Sequence, residues 1–298
     1  MKDLAGYWLM RLGVGLVGLL SAAAARRLGE IGGLIWYLFG GDRRRMARRH
    51  MQRVLPAGDH LSRRTRGVFK SYGRYWAETL WVRPRRISEV DANLEIEGLE
   101  HLQEAARSGT GAIIVLPHLG NWEYAALSGR RAGIEILAVA ERLGNRRLTR
   151  WFTSLRSQFG ITVVLASRAS MRAIEAGLAR GAAVALLCDR DLTGRGVKTE
   201  FFGEDTTLPA GPAALALRTG APLLLAGSYF TPKGHHLVLQ RLALPPGTRD
   251  VAGVTGLIAQ GLEQVIRHAP EQWHLLQPNW PSDRVAAGAA TFANGSRR

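Results

Sequence analysis

Beyond residue 90 the sequence predicts an α/β protein, an α/β/α sandwich with a largely parallel sheet, preceded by a helical N-terminal region. Two observations predict the sandwich. Short, nearly continuous apolar runs recur along the chain, and stretches of helical length and pattern separate them. Strands covered by helices on both faces read in this way. A third observation concerns residues 1–90, where apolar and aromatic segments alternate with arginine clusters. The expected division is 1–90 as a helical membrane-associating region, 91–285 as the α/β core and 286–298 as a disordered tail.

Residues 12–25 form an uncharged run bounded by Arg11 and the pair Arg26-Arg27. The run is diluted by Gly and Ala and is shorter than the roughly 20 apolar residues of a spanning helix. Lys2, the run and the four alanines at 22–25 imitate a signal peptide, but Asp3 and Arg11 break its charge pattern. The expectation is therefore a helix lying in or on a bilayer rather than a span or a cleaved leader. The aromatic segment 34–39 and the arginines at 43–49 continue the texture. So do Arg63, Arg64, Arg66 and Lys70, then Tyr72, Tyr75 and Trp76, then Arg83, Arg85 and Arg86. Rings at headgroup level with cations against lipid phosphates would look like this; so would core-packing helices joined by solvated basic segments.

In the core, strands are expected at 112–116, 134–138, 161–165, 184–188, 223–227 and 237–239. Helices are expected at 122–132, 146–159, 171–180 and 210–219, the last begun by Pro209. A final helix at 251–268 follows Pro245-Pro246-Gly247, and the tail is rich in small residues.

Forty Lys and Arg against 24 Asp and Glu leave a formal charge of +16. That balance points to a polyanion: nucleic acid, an anionic membrane surface or a phosphate-bearing substrate. An arginine-favouring genome gives the same count. Nucleic-acid binding is not expected, because no recognised module interleaves arginines with exposed aromatics. The single cysteine, Cys188, excludes an intramolecular disulfide and a Cys-based zinc site, and it reads as a small buried hydrophobe.

The run at 113–116 leads into Pro117-His118-Leu119-Gly120-Asn121-Trp122-Glu123. A histidine at the carboxyl end of a strand lies where open α/β sheets bind ligands. A neutral imidazole is a competent base near pH 7 once an acid fixes its tautomer. The Gly120-Asn121 turn would leave backbone N–H groups at a helix start for an anion. The spacing H-x4-E is weak alone; its place between a strand and a helix strengthens it. A metal is not expected, since no second histidine lies nearby and no cysteine accompanies it. His235 and His236 fall on opposite strand faces and cannot act as one ligand pair.

The segment from Pro117 to Glu123 resembles the signature of the bacterial lipid A lauroyl/myristoyl acyltransferases and the glycerol-phosphate acyltransferases. A second block, Cys188-Asp189-Arg190-Asp191-Leu192 through Arg195-Gly196-Val197, Phe201-Phe202-Gly203-Glu204 and Leu208-Pro209-Ala210-Gly211-Pro212, agrees. So does a third, Pro270-Glu271-Gln272-Trp273-His274 with Gln277-Pro278-Asn279-Trp280. The two later blocks are more similar to the phosphatidylinositol mannoside acyltransferases, and together the resemblance spans nearly the whole chain. It implies a glycerol-phosphate-acyltransferase-like fold at the cytoplasmic face of a bacterial plasma membrane, held peripherally or by its N-terminal helix. It also implies transfer of a long fatty acyl group from acyl-CoA to a hydroxyl of an anionic glycolipid, most similar to a phosphatidylinositol mannoside. The alternative donor is acyl carrier protein, as in the lipid A branch; no further cofactor is implied. His118 would be the base that deprotonates the acceptor hydroxyl, which attacks the thioester directly without an acyl-enzyme. Glu123 stands where the mannoside branch has Asp, which leaves its partner open between the histidine, the substrate and a structural arginine. Asp189 would orient His118. The resemblance also places Glu141 and Arg156 by the acceptor, with Arg190 and Arg195 as further phosphate-binding candidates and Gly120 and Asn121 beside the substrate. Phe201 and Phe202 read equally as an acyl-groove lining and as core.

Overall fold

The computed structural model describes residues 2–56, 60–140, 144–165 and 170–285. Five helices come first: Lys2–Val17 (α1), Ala22–Phe39 (α2), Gly41–Val54 (α3), Leu61–Trp81 (α4) and Ile87–Ala92 (α5). Helices α2 and α4 run antiparallel and in close contact, because glycines meet at the crossing. A Cβ on Gly33 would lie 2.0 Å from the Phe69 carbonyl oxygen, and one on Gly73 would lie 2.1 Å from that of Gly29. Several arginines of this region turn inward. Arg49 and Arg53 grip the buried Asp283 at 2.8 and 3.0 Å, and His50 Nε2 lies 3.1 Å from the same carboxylate. Arg86 donates to the Gly18 carbonyl oxygen at 2.9 Å. No helix among the described residues is long and apolar enough to cross a membrane.

The chain then alternates Leu94–Glu97 (β1), Leu99–Ser108 (α6), Ala112–Leu116 (β2), Trp122–Ala125 (α7), Leu127–Ala132 (α8), Ile136–Ala140 (β3), Arg146–Gln158 (α9), Ile161–Leu165 (β4), Ser170–Ala179 (α10) and Ala183–Leu187 (β5). A hairpin of Val197–Phe201 (β6) and Glu204–Leu208 (β7) follows, then Gly211–Thr219 (α11), Leu223–Phe230 (β8), His235–Arg241 (β9) and Val251–His268 (α12). The main sheet has the order β1-β9-β8-β2-β5-β3-β4. Strands β8, β2, β5, β3 and β4 are parallel; β9 runs against β8, and β1 runs with β9. The expected α/β sandwich on a mostly parallel sheet is what forms.

Strand β2 is buried along its whole length and feeds two cores by alternation. Ile113 and Val115 pack with α10, α11 and α12 on one face, where Met51 of α3 and Phe69 of α4 join them. Ile114 and Leu116 pack with Leu102, Leu127 and Leu155 of α6, α8 and α9 on the other. The expected helix at 122–132 is two short helices divided at Ala126. The expected strand at 134–138 begins two residues later. The antiparallel β6–β7 hairpin was not expected, since its strands carry Lys198, Glu200 and Asp205 on a half-exposed ribbon. Its two-residue turn places both Phe202 (φ 53°) and Gly203 (φ 73°) in the left-handed region that such hairpins need. The 286–298 tail lies outside the described residues.

Candidate active site

Strands β2 and β5 pair in parallel with Leu116 opposite Leu187. Two residues further along each strand, the same register sets His118 beside Asp189. His118 Nδ1 lies 2.7 Å from Asp189 Oδ1. The second carboxylate oxygen, Oδ2, accepts the His118 backbone N–H at 3.0 Å and the Trp273 indole N–H at 2.8 Å. Asp189 is fully buried. Burial alone would raise its pKa; the facing His118 and the Trp273 N–H outweigh that and hold it below the usual carboxylate range. With Nδ1 turned to the carboxylate, the other ring nitrogen is left for the groove that His118 helps to line.

A third strand-like segment locks the motif. Leu119 and Trp273 form an antiparallel bridge, the His274 N–H donates to the His118 carbonyl oxygen at 2.8 Å, and the Gly120 N–H donates to that of Gln272 at 2.9 Å. Gly120 has φ 57°, and a Cβ there would stand 2.1 Å from the Ser228 carbonyl oxygen, so only glycine fits. Asn121 is buried and donates its amide to Glu78 Oε2 at 2.9 Å. Gly120 and Asn121 thus shape the turn from within the protein. The helix they open is a single turn of four residues rather than the long helix expected.

Glu123 does not meet His118. Its carboxylate takes Arg156 in a bidentate grip, Nε at 2.9 Å and Nη2 at 2.6 Å. Burial would lower the arginine's pKa, but the Glu123 charge and hydrogen bond outweigh it and raise it. Of the protein's own groups left open as partners for Glu123, the arginine is met and the histidine is not, and two N–H groups of the Arg156 fork that would suit a phosphate are engaged. Arg190 lines the groove together with His118 and Arg156, whereas Arg195 is exposed on the following loop. That loop is organised by Asp191, which accepts from the Thr193 and Gly196 backbone and from Thr207. Glu141 lies outside the described residues. Phe201 and Phe202 are buried, and Phe201 stacks on Trp280 at 5.7 Å, so they belong to the core. Cys188 is buried too, and burial pushes its thiol well up, as for a core residue.

The groove encloses about 460 Å³ above the carboxyl ends of β2, β3 and β5. Besides His118, Arg156 and Arg190, its walls are mostly apolar, from Tyr75 and Trp76 of α4, Leu148 and Phe152 of α9, and Val139 and Leu187 of the sheet. Trp122 stands edge-on to the His118 ring at 5.3 Å and stacks on Tyr75 at 4.2 Å. His274 lies beneath them, bonded through Nε2 to Ser71 Oγ at 2.6 Å. Burial first, then the nearby His118, pull its pKa down to about 3, which favours its neutral form.

The residue reading of the sequence left Glu78, Trp273, His274 and Asn279 without roles. Asn279 donates to the Asp189 carbonyl oxygen at 3.1 Å. Glu78 is buried and receives Arg26 and Arg74, each at 2.9 Å, besides Asn121. It was signalled faintly, as the one acid in an arginine-rich helix of 21 residues.

The family model described as bacterial lipid A biosynthesis acyltransferase matches residues 1–282. The chain belongs to that family. Among characterised relatives, the phosphatidylinositol mannoside acyltransferase of Mycobacterium tuberculosis strain H37Rv is 36% identical over 219 residues, 72% of this chain and 69% of that one. The enzyme of the same name from Mycolicibacterium smegmatis is 33% identical over 241 residues, 79% of each chain. Membership makes the chain a lipid acyltransferase, and the groove with its His118–Asp189 pair is the candidate seat of the transfer.

Proposed function

We propose that this acyltransferase moves a long-chain fatty acyl group from acyl-CoA to a hydroxyl of a phosphatidylinositol mannoside or a closely similar anionic glycolipid. The 2.7 Å contact of His118 Nδ1 with the buried Asp189 carries the reading. A carboxylate held there fixes the Nδ1–H tautomer, so Nε2 is the free base. The acceptor hydroxyl gives its proton to Nε2 as its oxygen bonds to the thioester carbonyl carbon. The tetrahedral intermediate collapses, the C–S bond breaks, and the imidazolium returns the proton to the departing thiolate. No acyl-enzyme forms. Asp189 stabilises the transient imidazolium, much as carboxylates do in catalytic triads. The acyl chain lies along the apolar groove, and Arg190 and Arg195 attract the donor's phosphates.

The protein works on the cytoplasmic face of the plasma membrane as a peripheral enzyme. Trp8, Leu12, Leu16 and Leu19 form an exposed apolar stripe on and just beyond α1, and Leu38 and Phe39 are exposed at the end of α2. Together with the net charge of +16, they suit an anionic bilayer surface.

Purified protein, offered palmitoyl-CoA or palmitoyl-acyl carrier protein with a phosphatidylinositol mannoside acceptor, tests donor and acceptor together by mass spectrometry of the lipid product. The CoA thioester is expected to support faster acylation. Transfer only from the carrier protein would overturn the donor assignment, and no acylation of the mannoside would overturn the acceptor.

A further inference from the structure

Away from the groove, a pocket of about 350 Å³ opens between α2 and the first half of α4. Arg63, Arg64, Arg66 and Lys70 line it, with Leu34 at its edge and Glu271 as the single carboxylate among the described lining residues. Two ion pairs are made to this cluster among the described residues. Arg64 pairs with Glu271 at 2.9 Å, and Lys70 reaches Glu30 of α2 at 3.3 Å. Arg63 and Arg66 are exposed.

Arg49 and Arg53 of α3 hold the buried Asp283, whereas these four cations crowd the first ten residues of a helix whose first turn has no acid. Arg63 and Arg66 are spaced i,i+3, and Arg66 and Lys70 i,i+4, so like charges face one another. They also sit near the positive end of the helix dipole. A phosphate in the pocket would relieve both repulsions.

The surroundings select the kind of phosphate. Leu34 belongs to α2, whose neighbouring Ile31, Ile35 and Leu38 are exposed apolar side chains. An anion carried on a hydrocarbon body fits such a rim; a free ion makes no use of it. The pocket is tied to the active-site segment through Glu271. Gly67 packs on Glu271, two residues before the tryptophan that holds Asp189. Along α4 the distance from Arg63 to the groove residue Tyr75 is roughly 18 Å at 1.5 Å per residue.

We propose that this pocket is a second phosphate site, holding the headgroup of an anionic phospholipid that is not itself acylated and so seating the groove at the bilayer surface. The proposal rests on the membrane-docking part of the function proposed above.

The test compares wild-type protein with the triple variant Arg63→Gln/Arg66→Gln/Lys70→Gln in vesicle co-sedimentation. A charge-matched control, Arg107→Gln/Arg180→Gln/Arg218→Gln, removes three cations just ahead of β2, β5 and β8. Vesicles are phosphatidylcholine alone, or with a fifth of it replaced by phosphatidylglycerol. The pocket variant should bind the anionic vesicles at least about tenfold more weakly than the control does, since each cation at a membrane surface contributes several-fold. Equal losses in the two triple variants would overturn the pocket while leaving membrane docking intact. Failure of the wild type to bind either vesicle would overturn docking, and the pocket with it. Titration with glycerol phosphate is the remaining arm. Saturable binding that the pocket variant loses, without a vesicle defect, would assign the pocket to a soluble phosphate ester and overturn the lipid.

Discussion

Replacing Glu78 by Gln should destabilise the protein by about 3 kcal/mol at neutral pH. The carboxylate is buried, with Arg26 and Arg74 on one oxygen, Asn121 on the other and His235 Nε2 at 3.3 Å. Burial alone would raise its pKa. His235, Arg74 and the Asn121 amide outweigh burial and bring it from 4.5 to about 2. That displacement corresponds to about 3 kcal/mol, at the lower end of the roughly 3–5 kcal/mol for removing one partner of a buried ion pair. The folded value is depressed, so the contribution is full above the unfolded value of 4.5 and vanishes as pH falls through about 2. Urea unfolding, followed by tryptophan fluorescence from pH 7 down to pH 3, measures the gap between wild type and Glu78→Gln. It should be about 3 kcal/mol at pH 7 and roughly half of that at pH 3. The melting temperature should fall by about 6–12 °C at neutral pH. A gap below about 1 kcal/mol at pH 7, or one that does not shrink on acidification, would refute the account of Glu78 as the charged anchor of the turn.

Trp273→Phe removes the indole donor to Asp189 and should lower kcat by roughly 10- to 100-fold with little change in KM, since a hydrogen bond to a charged group contributes about 1.5–3 kcal/mol; steady-state kinetics checks it. Gly120→Ala forces a Cβ onto the Ser228 carbonyl oxygen at a positive φ, and it should cost about 3 kcal/mol or more, read from soluble yield and melting temperature. Arg156→Met leaves the buried Glu123 without its partner, and should cost about 3–5 kcal/mol; adding Glu123→Leu should recover most of that in thermal denaturation. If the double variant is no more stable than the single, the pair does more than neutralise itself.

Much of the fold was legible because its period is simple. β2 is five consecutive apolar residues, as a strand covered on both faces reads, and α12 runs over the residues its pattern marks. The hairpin was hidden because its residues are charged and half-exposed, so no apolar period announces it. The helix after His118 carried helical residues throughout but breaks at Ala126, a tertiary effect that local propensity does not encode. At the site, the sequence marks His118 and Asp189 as strand-end residues, but their contact depends on which strands are neighbours. The split of Glu123 from His118 is equally non-local: Arg156 arrives from α9, 33 residues on. Trp273 meets Asp189 from 84 residues on, and Glu78 meets Asn121 from 43 residues before it. The arginines show the same limit, for Arg49, which binds Asp283, and Arg63, which faces solvent, look alike in a string of letters.

The measurement that tests the central claim most directly is the kcat of His118→Ala for acyl transfer to the glycolipid acceptor, in a variant whose circular dichroism and melting temperature match the wild type. If His118 is the general base directed by Asp189, kcat falls by roughly 10²- to 10⁴-fold. A folded variant within about tenfold of the wild-type rate would contradict it.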